Sequence, residues 1–222
     1  MNNILNKQSV PNHASLVIAI VLNWNGFEDT RKCIESLQAS EYSNLQIIIV
    51  DNASTDGSQD KLQKLFPELH LILNSFNKGY AGGNNVGINL AMERRAKYIL
   101  VINNDIVVEK DSITLLVKVA EKDNNVGVVT GLIKYQSNPY DIYYAAGKYS
   151  RWRCAGLNVV KKNSFNPTPV NISFVNGSYF LVRKEALEKL GLLDESYFMY
   201  FEDLVFSNRI SKHYKLIYIS KY

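Results

Sequence analysis

The chain has 222 residues, 46% apolar and 21% charged, which suits one domain with a sizeable core and excludes disordered or fibrous classes. The formal charge of +4 is mild, and no helix or sheet signature of a nucleic-acid reader accompanies it, so nucleic acid is not an expected partner. Cys33 and Cys154 lie far apart in no metal-ligand spacing and read as isolated thiols of a reducing compartment.

Residues 1–14 are polar and read as a loose N-terminal tail, with no signal peptide. Residues 16–22 form an apolar run that suits a buried strand and is too short to span a bilayer. The expected location is therefore cytoplasmic. A helical pattern follows over 27–39, then a β-branched run at 45–50 and a helix at 57–66. The alternation continues with a strand at 69–73, a helix at 84–95, a strand at 98–102, a helix at 112–121 and a strand at 126–130. Near-continuous apolar strands separated by amphipathic helices predict an α/β fold, with a mostly parallel sheet covered on both faces.

Beyond residue 130 the character changes. Residues 131–182 are rich in Tyr, Asn and Gly, with strand-like pieces at 142–146 and 172–182. Helices are expected at 183–190 and 202–212, and a last strand at 215–220. No internal repeat or low-complexity linker interrupts the chain, so 15–222 reads as a single domain.

Charge is uneven along this second part. Between Asp141 and Glu185 there is no acid, whereas Lys148, Arg151, Arg153, Lys161, Lys162, Arg183 and Lys184 all occur. Such a stretch is either a solvated basic face or an attraction for phosphates, on a lipid-linked molecule or on anionic headgroups. Tyr143, Tyr144, Trp152 and Tyr179 offer either stacking surfaces for sugar rings or buried aromatic packing.

In open α/β sheets ligands sit outside the carboxyl ends of the strands. The first predicted strand ends in Asn23-Trp24-Asn25-Gly26 and the second in Asp51-Asn52-Ala53-Ser54-Thr55-Asp56-Gly57-Ser58. The third runs into Asn77-Lys78-Gly79-Tyr80-Ala81-Gly82-Gly83-Asn84-Asn85-Val86-Gly87, and the fourth ends in Asn103-Asn104-Asp105. Any one of these alone also fits a turn or a helix cap. Four at successive strand ends point to one polar cleft. No G-x-G-x-x-G follows the first strand and no G-x-x-x-x-G-K-[ST] occurs, so diphosphate binding is expected to use a metal ion. A hard divalent cation takes oxygen ligands, and Asp105 at a strand tip suits that role.

The ordered set of these motifs resembles the family 2 inverting glycosyltransferases with the GT-A fold, above all their rhamnosyltransferase-like branch. Phe174-Val175-Asn176-Gly177-Ser178-Tyr179-Phe180-Leu181-Val182-Arg183 and Met199-Tyr200-Phe201-Glu202-Asp203 extend the resemblance over about residues 16–220. It implies a Rossmann-like, mostly parallel sheet flanked by helices, with a nucleotide-sugar-binding part at 15–130. A smaller, mixed β part on the acceptor side would occupy 131–222. It also implies that Asp51 bonds the nucleobase, with Leu22 and Asn23 closing over it, while Asn77, Gly79 and Asn84 line the nucleoside pocket.

By the same resemblance Asn104 lies near the ribose and Asp105 on a divalent metal, manganese or magnesium. Asp203 is the catalytic base, with Glu202 beside it, and Arg209 matches a basic residue on the same helix. Activity would then be transfer of a sugar from a thymidine diphosphate rhamnose or uridine diphosphate sugar to a glycan or lipid-linked acceptor in cell-surface polysaccharide synthesis. Peripheral contact with the inner face of a membrane belongs to that expectation.

The sequence departs from the family pattern in three places. Asn103 and Asn104 stand where Asp is frequent, which lowers the negative charge of the metal site. Val205 replaces a second Asp after Glu202-Asp203. The family's C-terminal metal-binding His is not matched before Tyr222, since His13, His70 and His213 lie elsewhere. A catalytically impaired nucleotide-sugar-binding protein is therefore the alternative. A sugar-nucleotide nucleotidyltransferase needs a glycine- and arginine-rich phosphate loop after the first strand, and Asn23-Trp24-Asn25-Gly26 is not one.

Overall fold

The computed structural model describes residues 14–138, 140–150, 155–158 and 169–220. Strands and helices alternate from the start: β1 (Val17–Asn23), α1 (Phe27–Gln38), β2 (Leu45–Asp51), α2 (Ser58–Leu65), β3 (His70–Leu73), α3 (Gly79–Glu93), β4 (Tyr98–Asn103), α4 (Ser112–Lys122) and β5 (Val126–Gly131). Two short antiparallel ribbons follow, β6 (Ile133–Lys134) with β7 (Ile142–Tyr144), and β8 (Gly147–Ser150) with β9 (Ala155–Asn158). Then come β10 (Val170–Ile172), β11 (Tyr179–Arg183), α5 (Lys184–Leu190), α6 (Glu202–Ile210) and β12 (Lys215–Ile219).

The main sheet runs β10-β12-β5-β11-β4-β1-β2-β3. The pairs β1–β2, β2–β3, β1–β4 and β5–β12 are parallel. β11 is antiparallel to both β4 and β5 and lies between them, so β4 and β5 are not neighbours. The segment expected as one strand over 172–182 is two, β10 and β11, separated by residues 173–178, which include the turn at Asn176-Gly177-Ser178. Asn and Gly favour such a turn.

Strand side chains alternate between two cores, which explains the unbroken apolar runs. Val17, Ala19 and Val21 of β1 join Ile34 and Leu37 of α1, Leu62 of α2 and Leu116 of α4 on one face. Ile18 and Ile20 join Ile88 of α3, Leu187 of α5 and Phe206 of α6 on the other.

The glycine-rich stretch expected as a loop before a helix at residue 84 is the first turns of α3. Helical glycine costs roughly 1 kcal/mol relative to alanine, so packing must override propensity here. A Cβ on Gly83 would lie 2.6 Å from Leu22 Cδ1, and one on Gly87 would lie 2.5 Å from Ile20 Cγ2. These two positions, four residues apart on one helix face, let α3 press directly on β1 and β2.

Of the basic run, Arg183 and Lys184 are held by protein partners. Arg183 is buried at the far end of β11 from the turn at residues 176–178, where its Nε donates to the Val126 carbonyl at 2.9 Å and its Nη2 to the Ala120 carbonyl at 2.5 Å. Lys184 pairs with Glu188 at 3.0 Å. Arg151, Arg153, Lys161, Lys162, Trp152 and Cys154 lie outside the described residues. Tyr144 and Tyr179 are buried, while Tyr143 is exposed and meets Tyr135 edge to face at 5.6 Å.

Candidate active site

Parallel pairing brings the strand ends level: Asn23 faces Asp51 in register, and Leu22 faces Asn103. A chain of side-chain hydrogen bonds then crosses three strand ends. Asn23 Nδ2 donates to Asp51 Oδ2 at 2.7 Å, Thr30 Oγ1 donates to Asn23 Oδ1 at 2.7 Å, and Asn104 Nδ2 donates to Thr30 Oγ1 at 2.9 Å. The Ser54 amide donates to Asp51 Oδ1 at 2.8 Å, so both oxygens of this buried carboxylate are held in place. Asn23, Asp51 and Asn104 were expected together. Thr30, which joins them, sits on the buried face of α1 and looks from sequence like ordinary helix packing.

Asn52 organises the next rim. Its Nδ2 donates to Asn77 Oδ1 at 2.7 Å and to the Gly79 carbonyl at 3.1 Å, while its Oδ1 accepts from Asn74 Nδ2 at 3.0 Å and from the Lys78 amide at 3.1 Å. The full hydrogen-bonding capacity of one buried amide thus shapes the β3–α3 loop. Asn77 Oδ1 also accepts from the Gly79 amide at 2.9 Å. Asn84 lies within α3, buried, with Nδ2 bonded to the Tyr80 carbonyl at 3.0 Å and Oδ1 without a partner.

The segment leading to Glu202 and Asp203 is docked on α3. Asn85 Nδ2 donates to the Leu193 carbonyl at 2.9 Å and to Glu195 Oε1 at 2.8 Å, and the Tyr80 amide donates to the Phe198 carbonyl at 2.8 Å. Gly79 has φ +71°, and a Cβ there would sit 2.3 Å from the Phe198 oxygen. Both features require glycine. Arg209 reaches from α6 to the carbonyls of Gly191 and Leu192, so it anchors this same segment. Phe198, Met199, Tyr200 and Phe201 are exposed in succession, and Tyr200 and Phe201 both have φ +70°, a costly backbone for such side chains.

Asp203 lies in the first turn of α6, and its Oδ2 accepts from the Gly177 amide at 3.0 Å. Burial raises its carboxyl above the ordinary range, with backbone N–H donors from Gly177 and Leu204 partly opposing the shift. Glu202 is buried with Oε2 unpartnered, and burial, then the adjacent Asp203 charge, raises it as well. A carboxyl raised by burial and held by a fixed donor is a candidate general base.

Asp105 is exposed just past the tip of β4, and its backbone carbonyl accepts from Gln136 at 3.1 Å. Among the described residues no group of three or more His, Cys, Asp and Glu side chains is arranged to hold a metal. The oxygen donors present fit an ion bound by one carboxylate and otherwise by water and substrate phosphates, the usual habit of magnesium. Cys33 sits behind β4, where burial pushes its thiol up to about 12 and leaves it chemically inert.

The profile of glycosyl transferase family 2 matches residues 18–191, which cover the strand-end network and end before Glu202 and Asp203. The chain belongs to this family. It is 27% identical over 192 residues to the low-salt glycan biosynthesis hexosyltransferase Agl10 of Haloferax volcanii, covering 86% of this chain and 60% of that one. It is 24% identical over 201 residues to the N-acetylglucosaminyl-diphospho-decaprenol L-rhamnosyltransferase of Mycobacterium tuberculosis, covering 81% of this chain and 65% of the relative. The chain thus spans about three fifths to two thirds of the length of these curated relatives.

Among solved structures, GalNAc-T7 with UDP, GalNAc and Mn2+ superposes with a TM-score of 0.78 at 17% identity, over 94% of this chain and 43% of that one. The family 2 member described here therefore has the GT-A fold. The rhamnosyltransferase-like character of the motifs agrees with the names of its relatives.

Proposed function

We propose that this chain transfers a sugar from a nucleoside diphosphate donor to a glycan or lipid-linked acceptor, inverting the anomeric centre in one displacement. The observation that carries the reading is Asp203, a carboxylate raised by burial and aimed by the Gly177 amide. Asp203 takes the proton from the acceptor hydroxyl as that oxygen bonds to the anomeric carbon. The bond from that carbon to the donor's phosphate oxygen breaks at the same time, and its electron pair leaves with the diphosphate. Attack from the face opposite the leaving group inverts the centre.

Asp51, fixed by Asn23 and the Ser54 amide, presents its remaining lone pairs to the nucleobase. Asn77, Gly79 and Asn84 line the nucleoside side, and Asn104 stands by the ribose. Asp105 would hold a divalent cation, manganese or magnesium, whose charge would offset that of the diphosphate. The donor is thymidine diphosphate rhamnose or a uridine diphosphate sugar, the first supported by the L-rhamnosyltransferase relative and the second by the UDP-bound structure of like fold. Residues 15–130 carry the donor and 131–222 the acceptor. A lipid-linked acceptor places the chain at the inner, cytoplasmic face of a membrane, in cell-surface polysaccharide assembly. The exposed apolar side chains of Phe198, Met199, Tyr200 and Phe201 support that placement, and no helix among the described residues is long and apolar enough to cross the bilayer.

Calorimetric titration of UDP and dTDP, each with and without manganese, tests the reading. Manganese-dependent binding of one of them is expected, and it names the base of the donor. Absence of binding by both nucleotides overturns the donor assignment.

A further inference from the structure

The base has a second support that reaches it from the donor side. Tyr80, in the first turn of α3, donates its hydroxyl to the Gly177 carbonyl at 2.5 Å. The amide of the same glycine donates to Asp203 Oδ2 at 3.0 Å. Gly177 is sandwiched between them: the position of its absent Cβ lies 3.4 Å from the Tyr80 hydroxyl and 3.4 Å from Asp203 Cβ. We propose that Tyr80 is a positioning residue, whose hydroxyl holds Gly177 so that the glycine's amide aims and ionises Asp203. The inference rests on Asp203 being the base.

The rest of the turn is held by other groups. The Ser178 carbonyl accepts from the Asn103 amide at 2.8 Å, and the Val175 amide donates to Ser207 Oγ at 3.0 Å. Those bonds tie the turn to β4 and α6, and the Tyr80 hydroxyl ties it to α3. Because the Tyr80 amide also bonds the Phe198 carbonyl, one residue holds both the turn beneath Asp203 and the segment that leads to it. The glycine-rich start of α3 also carries Gly79 of the nucleoside pocket, so the donor pocket and the base share one rigid element. Burial and the nearby charges of Glu202, Asp203 and Asp105 keep the Tyr80 hydroxyl protonated, hence always a donor.

Tyr80→Phe removes one oxygen and leaves the ring in place. Without its partner the Gly177 carbonyl drifts, the amide bond to Asp203 lengthens, and the carboxylate loses part of its stabilisation. The expected result is a kcat lower by about 10- to 100-fold with donor KM nearly unchanged, since small misplacements of a catalytic group cost that much. The acid limb of the kcat–pH profile moves to higher pH, which loss of packing alone would not produce. Site-specific 3-fluorotyrosine at position 80 strengthens the donor at almost constant volume, so it preserves the fold and holds the limb at or below its original pH.

Asp203→Asn is measured alongside. If it is inactive while Tyr80→Phe keeps its rate and its acid limb, the role of Tyr80 is overturned and the base stands. If Asp203→Asn remains active, both are overturned.

Discussion

Asn23 Nδ2 donates to Asp51 Oδ2 at 2.7 Å, between residues that oppose each other at the ends of neighbouring parallel strands. The bond is buried and made to a carboxylate, so it contributes to stability, and under the proposed function it also fixes the group that meets the nucleobase. Asn23→Ala leaves the carboxylate short of a donor and is expected to cost about 1–3 kcal/mol of folding stability. Asp51→Ala is expected to weaken nucleotide binding by roughly 10-fold or more, as loss of a hydrogen bond to a charged group does. Melting curves and calorimetry on the two variants check this; a destabilised Asp51→Ala with unchanged nucleotide affinity would make the residue purely structural.

Asp203→Asn is expected to reduce transfer by about 10²- to 10⁴-fold or to abolish it, while nucleotide affinity stays near that of the parent. Initial rates with a labelled donor, beside calorimetry, separate the two effects. A near-normal rate assigns the base elsewhere.

Burial makes Glu202 and Asp203 hold their protons more tightly in the folded chain than in the unfolded one. The stability linked to them is fully present below the ordinary carboxylate range and is lost as pH climbs through the raised values. Glu202→Gln and Asp203→Asn, which cannot ionise, should therefore melt higher than the parent at neutral pH, with the gap closing in acid. Melting temperatures at several pH values decide it, and a gap that widens in acid contradicts the burial argument. Transfer has the opposite trend, rising with pH until Asp203 is ionised.

Gly79→Ala forces a side chain into a left-handed backbone, worth about 1–2 kcal/mol, and drives a methyl into the Phe198 carbonyl. A melting point lower by roughly 2–8 °C is expected for a chain of this size. Displacement of the docked segment should depress kcat more than donor affinity. Equal losses in both would mean that Gly79 acts only through the nucleoside pocket.

Asp105→Ala should remove most of the manganese dependence of nucleotide binding, because the neutral Asn103 and Asn104 leave no second carboxylate at that strand tip. Titrations with and without the ion measure it directly. An unchanged metal effect places the ion on other ligands.

The strand ends were legible because buried parallel strands advertise themselves as apolar runs, and whatever polar residue follows must lie at the sheet's edge. Asn23, Asp51, Asn104 and Asp105 were placed at those ends in this way. Thr30 and Tyr80 were not singled out: Thr30 sits in a helical pattern and Tyr80 inside the glycine-rich stretch, and their significance depends on partners 7 and 97 residues away. The start of α3 was misplaced because local propensity treats Gly79, Gly82 and Gly83 as loop, whereas contact with β1 makes them helical. Strand direction was also hidden: nothing in Tyr179–Arg183 encodes that it runs against β4 and β5. Arg209 was matched to the family's basic residue, yet it spends its guanidinium on the Gly191 and Leu192 carbonyls.

The place of β11 in the sheet has a practical consequence. Both neighbours of β5, β11 and β12, come later in the chain, and β11 is also one of the two neighbours of β4. A fragment ending near residue 131 would therefore strip one edge of β4 bare and leave β5 with no partner at all. Anyone wishing to express the first half of the chain as a separate module must carry the later strands with it.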